Sequence, residues 1–175
     1  VKLFQIITVL HVSGILIQVV LALRLNCLSP EKRSLAMQNF QQLINIQTQG
    51  KGLQEITRQV QQVVQASKIT CGLCNLFVRH TSASLVIQEN ADPDVQRDLE
   101  YFFGKLVPEN DLGYTHTMEG PDDMPSHIRS ALTCTSEQIP LSEGQLLLGT
   151  WQGIFLWEHR TSGSLRNIVV HISGD

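Results

Sequence analysis

The final third of the chain places strand-like segments one after another, with short turns and no helix between them. The segments cover residues 137–141, 145–149, 154–159 and 166–172. The turns between them contain Ser142-Glu143-Gly144, Trp151-Gln152-Gly153 and Ser162-Gly163. Short strands joined by such turns predict a mostly antiparallel arrangement and exclude a regular alternation of strand and helix in this region.

Three helices are predicted earlier in the chain. Leu53, Ile56, Val60, Val63 and Val64 recur at helical spacing and predict a helix of about 15 residues. Asp92-Pro93 is a typical helix start, and a shorter helix is predicted over 124–132. Further strands are predicted over 40–48, 69–79 and 84–88. The predicted fold is therefore α+β: two packed, mostly antiparallel β-sheets, sandwich-like, flanked by about three helices.

Composition and charge narrow the class of protein. Apolar residues make up 42% of the 175 residues and charged residues 17%, which is a globular balance. The net charge is −3, but residues 1–36 carry +3, so the remaining chain carries −6. An acidic body without a basic stripe argues against nucleic acid as a partner.

Four cysteines offer no obvious metal or redox motif. Cys71 and Cys74 form a CxxC pattern, but neither a second such pair nor a histidine pair at ligand spacing accompanies it. Both lie in a predicted strand, where alternate residues point to opposite faces. We expect ordinary buried cysteines, and with them a cytoplasmic protein.

The first 36 residues differ from the rest. Residues 3–23 carry no charge and are long enough to span a bilayer, although polar residues dilute the run. No clear cleavage site of a signal peptide follows. We expect an extension outside the native domain, translated from a start placed upstream of Met37. A membrane anchor is the alternative, and only then would a membrane be a partner. The folded domain is predicted to cover residues 37–175.

Most side chains suited to chemistry lie in three stretches. The first is His80-Thr81-Ser82-Ala83-Ser84, which leads into Glu89-Asn90-Ala91-Asp92. The second runs from His116 through Asp122, Asp123 and Ser126 to His127, and enters a predicted helix. The third is Gly149-Thr150-Trp151-Gln152-Gly153, followed along its strand by Glu158, His159 and Arg160.

These stretches suit either an anion or a metal ion. The N–H groups at the start of the 124–132 helix would favour an anion, with Ser126 and His127 in the same turn. Thr81, Ser82 and Ser84 are hydroxyls suited to phosphate oxygens, although such runs also form ordinary turns. Asp122 and Asp123 could hold a divalent ion or cap the helix. A Ser82–His127–Asp123 triad lacks a nucleophile elbow.

The same stretches resemble the sequence blocks of the YjbQ family. His80-Thr81-Ser82-Ala83-Ser84 followed by Glu89-Asn90-x-Asp92-Pro93 is similar to its first block. Glu119-Gly120-x-Asp122-Asp123-Met124-Pro125-Ser126-His127 resembles the second block. The third block is similar to Leu148-Gly149-Thr150-Trp151-Gln152-Gly153-Ile154, with Glu158 and Arg160 beyond it. The resemblance covers residues 37–175.

The resemblance implies a fold of two packed sheets, a homotrimer and polar pockets near the subunit interfaces. It also implies a possible weak thiamine-phosphate synthase activity, which joins a pyrimidine pyrophosphate to a thiazole phosphate and releases pyrophosphate. The alternative is a non-catalytic homotrimer that binds a metal or a phosphorylated metabolite. A divalent metal, magnesium or zinc, is the candidate cofactor.

The resemblance also implies roles for individual residues. His80, His116 and His127 would hold the metal or bind phosphate, and His80, His127 and Glu158 are the catalytic candidates. The predicted contacts to phosphate or substrate are Thr81, Ser82, Ser84, Ser126, Thr150 and Gln152. Gln152 and Glu158 would contact the pyrimidine, and the residues expected to orient a cation are Glu89, Asp92, Asp122 and Asp123. We expect the three stretches to converge on one cavity.

Overall fold

In residues 37–175, the alternation of apolar residues builds eight strands, and three helices pack around them. A computed structural model describes residues 37–175, and the prediction for residues 1–36 lies outside this range. The elements are β1 (Gln38–Gln47), β2 (Gly52–Glu55), α1 (Thr57–Ser67), β3 (Gly72–Val78), β4 (Ala83–Glu89), α2 (Pro93–Leu106), α3 (Asp123–Leu132), β5 (Ser136–Ser142), β6 (Gln145–Leu146), β7 (Gln152–Glu158) and β8 (Leu165–Gly174).

The strands form two antiparallel sheets with the core between them. One sheet has the order β1-β8-β3-β5-β6 and the other has the order β2-β7-β4. Ile168, Val170 and Ile172 alternate along β8 and are fully buried in the core. Leu85 and Leu156 enter the same core from the smaller sheet. This architecture confirms the predicted α+β fold of two packed sheets with three helices.

The predicted helix over residues 53–67 was wrong at its beginning. Residues 52–55 form β2 and pair with β7, with Leu53 opposite Trp157. Helix α1 then starts at Thr57 and has 11 residues. The backbone groups of this segment gain partners in the sheet, and such long-range pairing overrides the local helical spacing.

The register of the smaller sheet decides which polar residues can meet. Ala83 lies opposite Glu158 at one end of the β4–β7 pair, and Glu89 lies opposite Gln152 at the other end. The turn at 79–82 and the end of β7 therefore share one end of the sheet, and contacts of Arg160 and Thr161 with Asp123 and Asp122 hold the start of α3 there. We call this the histidine end, and the end at Glu89 and Gln152 the amide end.

Two smaller expectations concern cysteines and membranes. Cys74 is buried in β3 as predicted, but Cys134 is exposed after α3, so burial does not hold for every cysteine. In residues 37–175, no helix combines the length and the apolar character that crossing a membrane requires.

Candidate metal site

A buried carboxylate with an unsatisfied oxygen lies at the start of α3. Asp123 is 2% exposed, and its Oδ2 has no hydrogen-bond partner among the described residues. His116 Nε2 lies 2.7 Å from this oxygen, which is an ion-pair distance, but the approach lacks hydrogen-bond geometry. A buried carboxylate oxygen without a donor is costly, so its position calls for a proton or a cation.

His127 faces the same carboxylate from one helical turn further along α3. Its Nδ1–H donates to the Thr81 carbonyl oxygen at 2.9 Å, because a carbonyl can only accept. In the neutral ring, Nε2 then carries a free lone pair, and it lies 3.6 Å from Asp123 Oδ1. This arrangement, with one nitrogen fixed on a carbonyl and the other presented to the site, is typical of a metal-binding histidine.

The three side chains form a set that suits a transition metal. One donor atom from each of His116, Asp123 and His127 lies within 4.8 Å of the others. The two imidazole rings are 5.4 Å apart between centroids. Two imidazoles and a carboxylate favour Zn²⁺ or a related ion over Mg²⁺, which prefers oxygen ligands. Three protein ligands also leave a coordination position for water or substrate.

Arg160 ties the loop before α3 to the end of β7. Its guanidinium contacts Asp123 Oδ1, approaches Asp122 Oδ2 at 3.3 Å and donates to the Glu119 carbonyl oxygen at 2.8 Å. Burial alone would raise the pKa of Asp122, but the Thr161 N–H and Arg160 outweigh burial and hold that pKa below its usual value. Asp122 is therefore a charged partner of Arg160.

His80 lies in the neighbouring turn but outside this ligand set. Its Nδ1 accepts from the Ser82 backbone N–H at 3.2 Å and lies 3.0 Å from Ser82 Oγ. Burial first, and then the Arg166 charge, lower the pKa of His80, while Glu158 opposes them. The charges of His127 and Arg160 lower it further. In this geometry Asp123, and not His80 as predicted, completes the candidate ligand set with His116 and His127.

Glu158, predicted as a catalytic residue, is buried in an ion pair instead of being presented to a ligand. It is 1% exposed, and Arg166 holds both carboxylate oxygens, at 2.7 Å through Nε and at 2.5 Å through Nη2. The Thr48 hydroxyl and the Arg160 N–H complete its partners. Burial would raise the pKa of Glu158, but these donors outweigh it and lower the pKa.

The predicted phosphate-binding hydroxyls divide into exposed and buried groups. Thr81 is exposed beside His127. Ser84 and Ser126 are each 0% exposed, and their hydroxyls are bonded to His159 Nε2 and to the Asp123 carbonyl oxygen. Ser82 is 3% exposed and is bonded to His80. Of the four hydroxyls, only that of Thr81 is open to a ligand in this conformation.

Thr150 and Gln152 lie away from the histidines, at the amide end. Glu158 is six positions after Gln152 along β7, which corresponds to roughly 20 Å in a strand. Gln152 Oε1 accepts from the Gly149 N–H at 2.7 Å. Within one chain, Gln152 and Glu158 therefore cannot contact the same small ring. Of the three stretches that we expect to converge, residues 80–84, residues 116–127 and Arg160 lie together at the histidine end. Glu89, Asp92, Thr150 and Gln152 do not join them within one chain.

Arg166 is a residue of the histidine end that the sequence analysis missed. It is 1% exposed, and it occupies the inward phase of β8 together with Ile168, Val170 and Ile172. An arginine in phase with three buried apolar residues needs a buried acidic partner. That alternation was visible in the sequence and would have indicated a buried ion pair.

The fold and the cluster define an α+β sandwich protein with a candidate metal site at one end of its smaller sheet. Residues 42–175 match the family model described as UPF0047 protein YjbQ-like. The chain therefore belongs to the YjbQ/UPF0047 family.

Relatives and solved structures of the same family cover most of the chain. A UPF0047 protein of Synechocystis sp. is 59% identical over 135 residues, which is 77% of this chain and 92% of the relative. The UPF0047 protein YjbQ of Escherichia coli O157:H7 is 40% identical, over 78% of this chain and 99% of that protein. A crystal structure of a YbjQ-like protein of unknown function from Sulfolobus solfataricus P2 has a TM-score of 0.73 and 28% identity, and the match covers 80% of this chain and all of that one.

Proposed function

We propose that the chain binds a divalent transition metal, zinc first, through His116, Asp123 and His127, and acts there on a phosphorylated small molecule. The buried Asp123 Oδ2, which makes no hydrogen bond in residues 37–175 and lies 2.7 Å from His116 Nε2, carries this proposal. A cation between this oxygen and the two Nε2 atoms would satisfy all three groups at once. A metal bound there would stabilise negative charge that develops on phosphate oxygens.

The proposed reaction is that of a thiamine-phosphate synthase, in which a pyrimidine pyrophosphate and a thiazole phosphate are joined and pyrophosphate is released. His127 would be a metal ligand rather than a base, because its one free lone pair, on Nε2 once Nδ1–H donates to the Thr81 carbonyl, would be used by the metal. His80 and the Thr81 hydroxyl would donate hydrogen bonds to phosphate oxygens beside the metal. Charged donors and dipoles aimed at a leaving group are the usual source of catalysis in such transfers.

Zinc binding is tested first, by calorimetric titration of the full chain with Zn²⁺ alone. We expect one ion per chain in the wild type and no measurable binding in His127→Ala. His171→Ala is the matched control, because His171 lies on the outer face of β8 and bonds only to Gln41 among the described residues. Equal binding by the two variants would overturn the metal proposal.

Turnover is tested separately on the zinc-loaded and magnesium-loaded protein. We expect thiamine phosphate to form from the two phosphorylated rings, and to fall strongly in His127→Ala but not in His171→Ala. Rescue of a thiamine-requiring strain should follow the same order. Zinc binding without turnover would favour the alternative, a non-catalytic protein that binds a metal or a phosphorylated metabolite.

The homotrimer remains a prediction from the family resemblance. Light scattering on the purified chain measures its mass directly. A mass three times that of the chain is expected, and a monomer would exclude any site that needs two copies.

A further inference from the structure

A chain of hydrogen bonds runs from the core to the surface beside the candidate metal site. Its inner end is the Glu158–Arg166 pair, in which each residue is 1% exposed. Arg166 Nη2 then donates to Ser82 Oγ at 3.1 Å, and Ser82 Oγ lies 3.0 Å from His80 Nδ1. The exposed His80 is the outer end. Every link is within hydrogen-bond distance, so the core is connected to one imidazole.

The direction of this chain follows from what each group can do. A guanidinium has only donors, so Ser82 Oγ accepts from Arg166 and its own proton is left for His80 Nδ1. The Ser82 backbone N–H also points at Nδ1, at 3.2 Å. His80 Nδ1 is therefore an acceptor, and the neutral ring carries its proton on Nε2.

The opposite tautomer is disfavoured by the same contacts. A proton on Nδ1 would face the Ser82 N–H and would force the Ser82 hydroxyl to turn away, although Arg166 already fills one of its acceptor positions. Full protonation meets the same obstacle. Burial and the Arg166 charge lower the pKa of His80, and Glu158 is the only group that opposes them, which agrees with a neutral ring.

We propose that Ser82 and Arg166 are positioning residues that hold His80 as a neutral Nε2–H donor for a phosphoryl oxygen of a ligand at the metal site. The purpose of this donor rests on the proposed function. His80 directly precedes Thr81, whose carbonyl holds the metal-binding candidate His127, so one turn orients both imidazoles. One ring is fixed with a free lone pair for a cation, and the other is fixed with an N–H for an anionic oxygen.

This assignment separates two histidines that look alike in sequence. An Nε2–H donor cannot coordinate a metal through that nitrogen, so His80 does not compete with the ligand for the ion. The Nε2–H of His80 can donate only to an atom with a lone pair, and a phosphate or pyrophosphate ester provides several such oxygen atoms. The ligand class selected by the pair is therefore an anionic oxygen next to a metal, as in a phosphorylated metabolite.

The tautomer is measured by long-range ¹H–¹⁵N correlation NMR on the metal-free full chain, which shows which ring nitrogen carries the proton. We expect His80 with a protonated Nε2 in the wild type. In Ser82→Ala we expect its pKa to rise and its tautomers to become mixed. Ser84→Ala is the matched control, since it removes another buried hydroxyl, bonded to His159 instead. A wild-type proton on Nδ1, or identical His80 signals in the two variants, would overturn the positioning role.

The ligand role is measured with inorganic pyrophosphate on zinc-loaded protein. Loss of one hydrogen bond to a charged group predicts about tenfold weaker binding in His80→Ala. Ser82→Ala should lie between His80→Ala and the wild type, with unchanged Zn²⁺ affinity. If the protein does not bind zinc but His80 has the expected tautomer, the proposed function is wrong and the positioning role of Ser82 and Arg166 stands. An altered tautomer that leaves pyrophosphate affinity unchanged would remove the inference alone.

Discussion

The two ends of the β4–β7 pair carry the same kinds of residues in very different surroundings. At the histidine end, Glu158 is 1% exposed and holds four hydrogen bonds from Arg166, Thr48 and Arg160. At the amide end, Glu89 is half-buried and its carboxylate makes no hydrogen bond or ion pair with the residues 37–175. The presence of a glutamate in a family block therefore does not reveal its role, which depends on its burial and its hydrogen-bond partners.

The difference also separates stability from binding. The histidine end contains the buried Glu158–Arg166 ion pair, whose hydrogen bonds are satisfied. It also contains the buried Asp123 Oδ2, which makes no hydrogen bond in residues 37–175. The first stabilises the end of the sheet, and the proposed metal site depends on the second. The amide end has neither feature within one chain. Substitutions matched across the two ends can therefore test each part of the comparison.

The largest expected effect is on stability, from Glu158→Gln. The change leaves the Arg166 guanidinium buried without its charged partner, and breaking such a pair costs about 3–5 kcal/mol. Glu89→Gln is the matched control at the amide end, with an expected change within about 0.5 kcal/mol. Urea unfolding followed by circular dichroism measures both. Equal stability of the two variants would mean that the ion pair contributes nothing beyond an ordinary surface group.

The next effect is on metal affinity, from Asp123→Asn. Loss of a charged ligand should weaken Zn²⁺ binding by at least about 100-fold, the upper range for groups that only orient a ligand. Asp92→Asn is the control, because Asp92 also begins a helix and asparagine caps equally well. Calorimetric titration of both variants is the measurement. Similar affinities would show that Asp123 is a structural acid paired with Arg160.

The sequence predicted the fold better than it predicted the site, for physical reasons. The Asp92-Pro93 start of α2 and the alternation of β8 are local, and both were readable. Strand β2 was not, because only its pairing with β7 makes residues 52–55 extended. Asp123 and His127 are four residues apart on a helix, so their shared face was predictable. The arrival of His116 from a loop depends on long-range packing, so spacing could not predict it, and only the family resemblance placed His116 with His127.

The separation of Gln152 from Glu158 follows from their positions in the sequence. Both were assigned to the pyrimidine, yet they lie on one strand, and a strand of seven residues holds its ends roughly 20 Å apart. Three family blocks in family order do not imply one cavity in one chain. Strand length was the available signal, and it argues for two separate ends.

A smaller effect concerns pH and the buried His159, behind the histidine end. Burial first, and then Arg129, lower its pKa from 6.5 to about 3. Below pH 6.5 the unfolded chain therefore takes up a proton that the folded chain refuses, so stability is complete above 6.5 and is lost as pH falls towards 3. Between pH 7 and pH 5 this loss is at most about 2 kcal/mol.

Unfolding at several pH values measures this loss. His159→Gln should flatten the dependence, because the group that titrates in the unfolded chain is gone. His171→Gln is the control for removing a half-buried imidazole from the outer sheet face. A steep loss that persists in His159→Gln would assign the acid sensitivity to other groups, such as His80, whose pKa is also lowered.

The smallest expected effect tests the separation of the two ends themselves. Gln152→Ala removes the side chain that accepts from the Gly149 N–H, roughly 20 Å along the strand from the histidine end. In a single chain, Zn²⁺ and pyrophosphate affinities should change by less than about twofold, since distant sites act independently. A large loss of pyrophosphate binding would break the comparison, because only a second copy could bring this amide to the metal. That loss, together with a trimeric mass, would mean that the family blocks converge between subunits rather than within one.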